Sequence, residues 1–289
     1  MSKIPLQTKA PSHFRAKDVI FDLRSRAYVM GILNVTPDSF SDGGKYFLAS
    51  DAAAHAQDMV KEGADIIDIG GESTRPGFSP IDEYTEKNRV IPIIEAVRSS
   101  ISIPISIDTS KAGVARAALA KGAMIVNDIW GLQKDAQMAG VVADAKAGVI
   151  IMANYFNPSL LAKSGNIVDD CLRYLEKSLT IASKAGIESD HICVDPGIGF
   201  GIDTEESVAL LRAIPEIKKL GYPVLIGASK KRFIGELMGN CPVEERAGGT
   251  LAVSCASVGL GARFVRVHDV KETVNAMKII THVGGIYHG

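Results

Sequence analysis

The sequence predicts an α/β fold: a (β/α)8 TIM barrel of eight parallel strands, preceded by an N-terminal hairpin. Three observations point there. Eight short apolar runs rich in β-branched residues recur along the chain, helical stretches separate most of them, and several follow a glycine placed to end the preceding helix. The length, 289 residues, suits one such barrel, which typically takes ~250 residues, so the whole chain is read as a single domain with the barrel at about 29–283.

The segment Val19–Tyr28 comes first and is expected to form a hairpin or lid over the barrel bottom. The eight runs are Val29–Val35, Asp65–Gly70, Ile105–Asp108, Met124–Asp128, Val149–Met152, Ile192–Asp195, Val224–Gly227 and Phe264–Val267. Gly63, Gly122, Gly148, Gly221 and Gly261 stand just before five of them. The helix Ser50–Glu62 is expected to start on Ser50 or Asp51 as a cap, with Ala52, Ala56, Met59 and Val60 on its apolar side. Further helices are expected over Lys111–Lys121, Asp169–Ala185, Glu205–Leu220 and Glu244–Gly259, and near Val270–Val283.

Composition excludes several classes. With 46% hydrophobic and 22% charged residues, a large core is available and disorder is not expected. A net charge of −1 gives no whole-protein attraction to nucleic acid or to an anionic membrane. Cys171, Cys193, Cys241 and Cys255 show no CxxC spacing and read as ordinary buried thiols. The first residues carry no apolar signal region and no run spans a bilayer, so a cytoplasmic protein is expected.

In a TIM barrel, chemistry sits at the C-terminal ends of the strands. Here those ends carry NVTPDSFSDGG (34–44), GGESTRPG (70–77), Asp108-Thr109-Ser110, Asn127-Asp128, DPGIGFG (195–201), SKKRF (229–233) and Arg266-Val267-His268-Asp269. Asp108 alone can be read equally well as a helix cap. Several acids, amides and cations on one rim instead call for a ligand, because buried charges need partners. Asp108, Asn127 and Asp195 suit a flat heterocycle bearing amino and ring N–H groups. Lys231, Arg266 and His268 suit a phosphate or pyrophosphate. The GxGxG of Gly197, Gly199 and Gly201 is not the dinucleotide-binding GxGxxG, and that reading is rejected.

These segments, above all 34–44 and DIGGESTRPG at 68–77, resemble the dihydropteroate synthase family from about Val29 to Ile279. The resemblance implies condensation of 6-hydroxymethyl-7,8-dihydropterin pyrophosphate with p-aminobenzoate, with Mg2+ as cofactor, in a homodimer that is a sulfonamide target. It implies that Asp108, Asn127, Asp195, Gly227 and Lys231 bind the pterin, and that Asn34, Arg266 and His268 bind pyrophosphate, with Asn34 on the metal. It implies that Phe40, Thr74, Arg75, Pro76, Ser229 and Arg232 border the p-aminobenzoate site. Lys231, Arg266, His268 and Asp108 are the expected catalytic group. The loops Thr36–Tyr46 and Ser73–Ser79 are expected to close over the substrates.

One segment departs from the family pattern. Where the family usually has Met-His-Met, this chain has Met152-Ala153-Asn154. The third residue is expected near the pterin, so Asn154 either changes the pocket lining from thioether to amide or is simply tolerated. Two alternatives stay open: a pterin-binding methyltransferase acting with a corrinoid protein, which has no use for a pyrophosphate clamp, and a non-catalytic pterin-binding paralogue.

Overall fold

The computed structural model describes residues 12–35, 45–72, 80–157, 160 and 164–283. An antiparallel hairpin, β1 (His13–Ala16) and β2 (Val19–Asp22), precedes eight parallel strands. These are β3 (Tyr28–Asn34), β4 (Ile66–Gly70), β5 (Ile105–Asp108), β6 (Ile125–Asp128), β7 (Gly148–Met152), β8 (Ile192–Asp195), β9 (Leu225–Ile226) and β10 (Phe264–Val267). The sheet order runs β8-β7-β6-β5-β4-β3-β10-β9. A parallel bridge between Val194 and Val224 joins its two edges and closes the barrel.

All eight expected strands are present, within one or two residues at most ends. The helices differ more. The first, α1 (Lys45–Glu62), starts well before Ser50, so neither Ser50 nor Asp51 caps it; Ala52, Ala56 and Met59 are buried as expected. Next come α2 (Glu83–Ser100), α3 (Ala112–Ala120), α4 (Met138–Asp144) and α5 (Ile167–Lys184). The stretch expected as one helix over 205–220 divides into α6 (Thr204–Arg212), α7 (Ile214–Ile217) and a 3-10 turn, breaking beside Pro215. Then follow α8 (Arg232–Leu237), α9 (Ala247–Gly259) and α10 (Val270–Val283). No helix among the described residues is long and apolar enough to cross a membrane. Cys171 and Cys193 are buried, while Cys241 and Cys255 are only partly so; all four are free.

Strand side chains alternate between the helix layer and the barrel interior. The outward residues Ile67, Ile69, Ile107, Val126, Ile151, Val194 and Val265 pack with the helices in the main core. The inward residues form two layers of opposite chemistry. At the bottom, Met30, Ile66, Ile125, Ile150, Cys193, Leu225 and Phe264 make a second apolar cluster. The hairpin plugs that layer: Phe14 meets Phe264 edge-on at 5.4 Å, and Phe21 meets Tyr28 at 5.0 Å and Phe264 at 5.7 Å. Two residues further along the strands, the inward positions become Asp68, Asn127, Asp195, Gly227 and Arg266, with Ile32 and Met152 between them. The bottom is therefore a dry plug and the top a polar chamber.

Candidate active site at the barrel mouth

Arg266 forms the centre of the chamber. Its Nε donates to Asp68 Oδ2 at 2.6 Å and its Nη2 to Asp108 Oδ2 at 2.9 Å, so one guanidinium joins β10 to β4 and β5. Asn127 Nδ2 donates to the same Asp68 oxygen at 3.1 Å. Asp108 is not a helix cap: α3 begins at Ala112, whose N–H is held by Asp135 at 2.8 Å. Burial pushes the Asp108 carboxyl up to about 7, against the Arg266 charge and with help from Asp68. Arg266 stays firmly protonated: burial opposes its charge, but Asp68, Asp108 and Asp195 outweigh that cost.

Asp195, at the end of β8, accepts from the Gly197 N–H at 2.8 Å through Oδ1. Among the described residues, Oδ2 has no protein donor. Only glycine permits this turn: position 197 has φ +76°, and a Cβ there would lie 1.9 Å from the Ala153 carbonyl oxygen. Burial raises the Asp195 pKa, with Lys231 and the Gly197 N–H pulling the other way. A Cβ on Gly227 would stand 3.7 Å from Asp195 Oδ2 and 3.9 Å from Arg266 Cβ, so any larger side chain there would grow into the space between the two. Lys231 reaches the Ile198 carbonyl, and its ammonium lies 4.3 Å from the Phe200 ring centroid. Burial lowers it to about 8, Asp195 opposing and Arg266 adding to the fall.

Beside this ring, Ser229 Oγ is 2.9 Å from His268 Nδ1 and accepts from the His268 N–H at 3.2 Å. Lys230, between Ser229 and Lys231, has a left-handed backbone (φ 56°). Three contacts hold it there: its N–H to Thr250 Oγ1 at 2.9 Å, its ammonium to Asp269 at 2.7 Å, and its carbonyl receiving Arg246 at 3.1 Å. Arg232 stands outside the chamber, exposed and paired with Glu236 at 3.2 Å. Phe40, Thr74, Arg75 and Pro76, with most of the two expected loops, lie outside the described residues.

The chamber is therefore an acceptor-rich floor with one fixed guanidinium and one lysine of lowered pKa. Residues 30–268 match the family model described as pterin binding enzyme. A dihydropteroate synthase of Clostridium beijerinckii is 46% identical over 260 residues, covering 90% of this chain and 95% of that protein. The chain belongs to the dihydropteroate synthase family. The structure of the Clostridium difficile dihydropteroate synthase determined in the presence of pteroic acid superposes with a TM-score of 0.87 at 44% identity, covering 91% of this chain and 98% of that one. The Xanthomonas albilineans enzyme with 4-aminobenzoic acid also gives 0.87, at 40% identity, covering 94% and 98%.

Two features of this family member escape a reading of the sequence. Asp68 is wholly buried and holds both Arg266 and Asn127, yet in sequence it looks like one more residue of a strand. A charged residue inside the apolar run 65–69 is the signal that could have marked it. Asn154 does not offer its amide to the chamber: Nδ2 donates to the Ile129 carbonyl at 2.9 Å and Oδ1 accepts from the Phe156 N–H at 3.0 Å. The departure from Met-His-Met thus serves the loop after β7, whose Phe156 stacks edge-on with Phe200 at 6.2 Å.

Proposed function

We propose that this chain joins 6-hydroxymethyl-7,8-dihydropterin pyrophosphate to p-aminobenzoate, releasing pyrophosphate and 7,8-dihydropteroate. The observation that carries this reading is the free Asp195 Oδ2 beside the Lys231 ammonium, on a floor of Asn127 and Asp108. Asp195 Oδ1 already holds the Gly197 N–H and can take a second donor, so the ionised carboxylate can receive both the 2-amino group and N3–H of the pterin. Lys231 donates to the ring carbonyl, and Asn127 and Asp108 meet the remaining ring edge. A ligand lacking those N–H groups would leave buried acceptors unpaired, and this is the source of selectivity.

The amine nitrogen then bonds to the exocyclic methylene carbon as the carbon–oxygen bond to pyrophosphate breaks, and the amine proton passes to solvent. Negative charge grows on the departing pyrophosphate, where His268 and the guanidinium edge left open by Asp68 and Asp108 receive it. Asn34 fits a Mg2+ ligand. Its half-buried side chain makes no hydrogen bond among the described residues, and one amide oxygen suffices for an ion that keeps most of its waters. Bound there, Mg2+ would neutralise charge on the pyrophosphate. A separate group of metal-capable side chains, Glu188, Asp190 and His191, stands at the other end of the barrel, where Asp190 already pairs with His13 at 3.2 Å and Arg15 at 3.3 Å.

Phe40, Thr74, Arg75 and Pro76 are proposed to border the p-aminobenzoate site with Ser229 and Arg232, and a sulfonamide is expected to compete there. A second copy is proposed to cover exposed apolar residues at the end of α9 (Leu260) and on α10 (Ile279 and Val283); a monomer by light scattering would reject that. A thermal-shift series tests the function. Pyrophosphate with Mg2+ should raise Tm, as any ligand of the native state does, whereas stabilisation by methyltetrahydrofolate alone would point to a methyl transfer instead.

A further inference from the structure

Asp68 is a fully buried carboxylate with an unequal hydrogen-bond inventory. Oδ2 receives two donors, Arg266 Nε at 2.6 Å and Asn127 Nδ2 at 3.1 Å. Oδ1 is buried without a partner among the described residues, as is the Ser106 hydroxyl on the directly registered position of β5. A half-satisfied buried anion is a poor device for stability, since desolvation of the charge offsets the attraction it gains. Asp108 alone would also keep Arg266 paired, at 2.9 Å. What Asp68 adds is direction. Drawn by Asp108 only, the guanidinium would swing toward the half-exposed strand end. Drawn also by Asp68, two residues deeper on the neighbouring strand, it lies across the floor with the Asn127 amide turned the same way. Asp68 cannot meet a ligand itself, because no part of its side chain is exposed.

We infer that Asp68 is a positioning residue of the synthase reaction, a buried anion that orients Asn127 for the pterin ring and Arg266 for its pyrophosphate without touching either substrate. This rests on the synthase reading above. Asp68→Asn removes the charge at constant size and retains an acceptor. It should lower kcat/KM for the pterin pyrophosphate by about tenfold or more, the scale seen when a residue that orients a ligand-binding group is lost. KM for p-aminobenzoate should change less than about twofold. Ser106→Ala, in the same layer, should leave activity unchanged.

A double-mutant cycle with Arg266→Gln decides the matter. If Asp68 acts through Arg266, then Asp68→Asn costs little more once Arg266 is gone. An equal loss in both backgrounds, a matching rise in both KM values, or an equal loss from Ser106→Ala would overturn the inference. If Asp68→Asn does not fold, the smaller uncharged Asp68→Ser is put through the same cycle. Wild-type enzyme in the same assay separates the two readings: without pyrophosphate release the synthase assignment falls, whereas an active wild type with additive effects removes only the role of Asp68.

Discussion

At the scale of single residues, Asp195 is the proposed pterin anchor, with one oxygen on the Gly197 N–H and the other without a protein donor among the described residues. Asp195→Asn preserves the shape but loses the charge and an acceptor. Pterin binding should weaken by at least ~1.5 kcal/mol, the size of a lost charge-assisted bond; calorimetry showing unchanged affinity would remove Asp195 from the site. Asp108 and Lys231 also set a pH dependence. Burial raises Asp108 to about 7, and in the proposed role it must be ionised to accept from the pterin. Burial lowers Lys231 to about 8, and it must be protonated to donate. As pH rises, kcat/KM for the pterin pyrophosphate should therefore increase through about 7 and decline above about 8, a narrow bell reporting the free enzyme. A flat profile from pH 6 to 9 would mean that neither proton matters. Asp108, Asn127, Asp195, Lys231, Arg266 and His268 were all legible as polar residues at strand ends. Asp68 was not, because a strand pattern tells which way a side chain points but not which distant strand will offer it a partner.

At the scale of elements, the strands were legible and the helices less so. Parallel barrel strands are buried on both sides and read as unbroken apolar runs, which few other segments imitate. The helix α2 carries Pro92 in its interior, which masks a helical pattern, and the short α4 offers little more than one turn of periodicity. Ser50-Asp51 looks like a cap in sequence, yet α1 begins at Lys45. Fold context overrides such local signals. Two elements give direct tests. In the loop after β7, Asn154→Met restores the family's usual residue but breaks both bonds of the amide. It should destabilise the protein by ~1–3 kcal/mol, the cost of leaving buried backbone groups unpaired, with little change in KM for the pterin; a large KM change at unaltered stability would place Asn154 in the pocket after all. In the hairpin, Phe21 is buried against Tyr28 and Phe264. Phe21→Ala should cost about 3–5 kcal/mol in denaturant unfolding while kcat measured at low temperature is retained, since the plug and the chamber occupy opposite ends of the barrel. Loss of kcat without loss of stability would contradict that separation.

At the scale of the molecule, one barrel has two chemically different ends. The alternation of strand side chains puts an apolar layer at the bottom, where the hairpin seals it, and a charged layer at the top, where strand ends distant in sequence bring five chemistries to one chamber. With a net charge of −1 over the whole chain, attraction for an anionic substrate must come from that chamber and not from the overall field. The central claim is that the chamber couples pterin activation to attack by an aromatic amine. Pyrophosphate release, followed with purified protein, the pterin pyrophosphate and Mg2+, tests it most directly when p-aminobenzoate is varied. Release should rise with p-aminobenzoate, saturate, and yield dihydropteroate in equal amount. No release, or release without dihydropteroate at any p-aminobenzoate concentration, would contradict it.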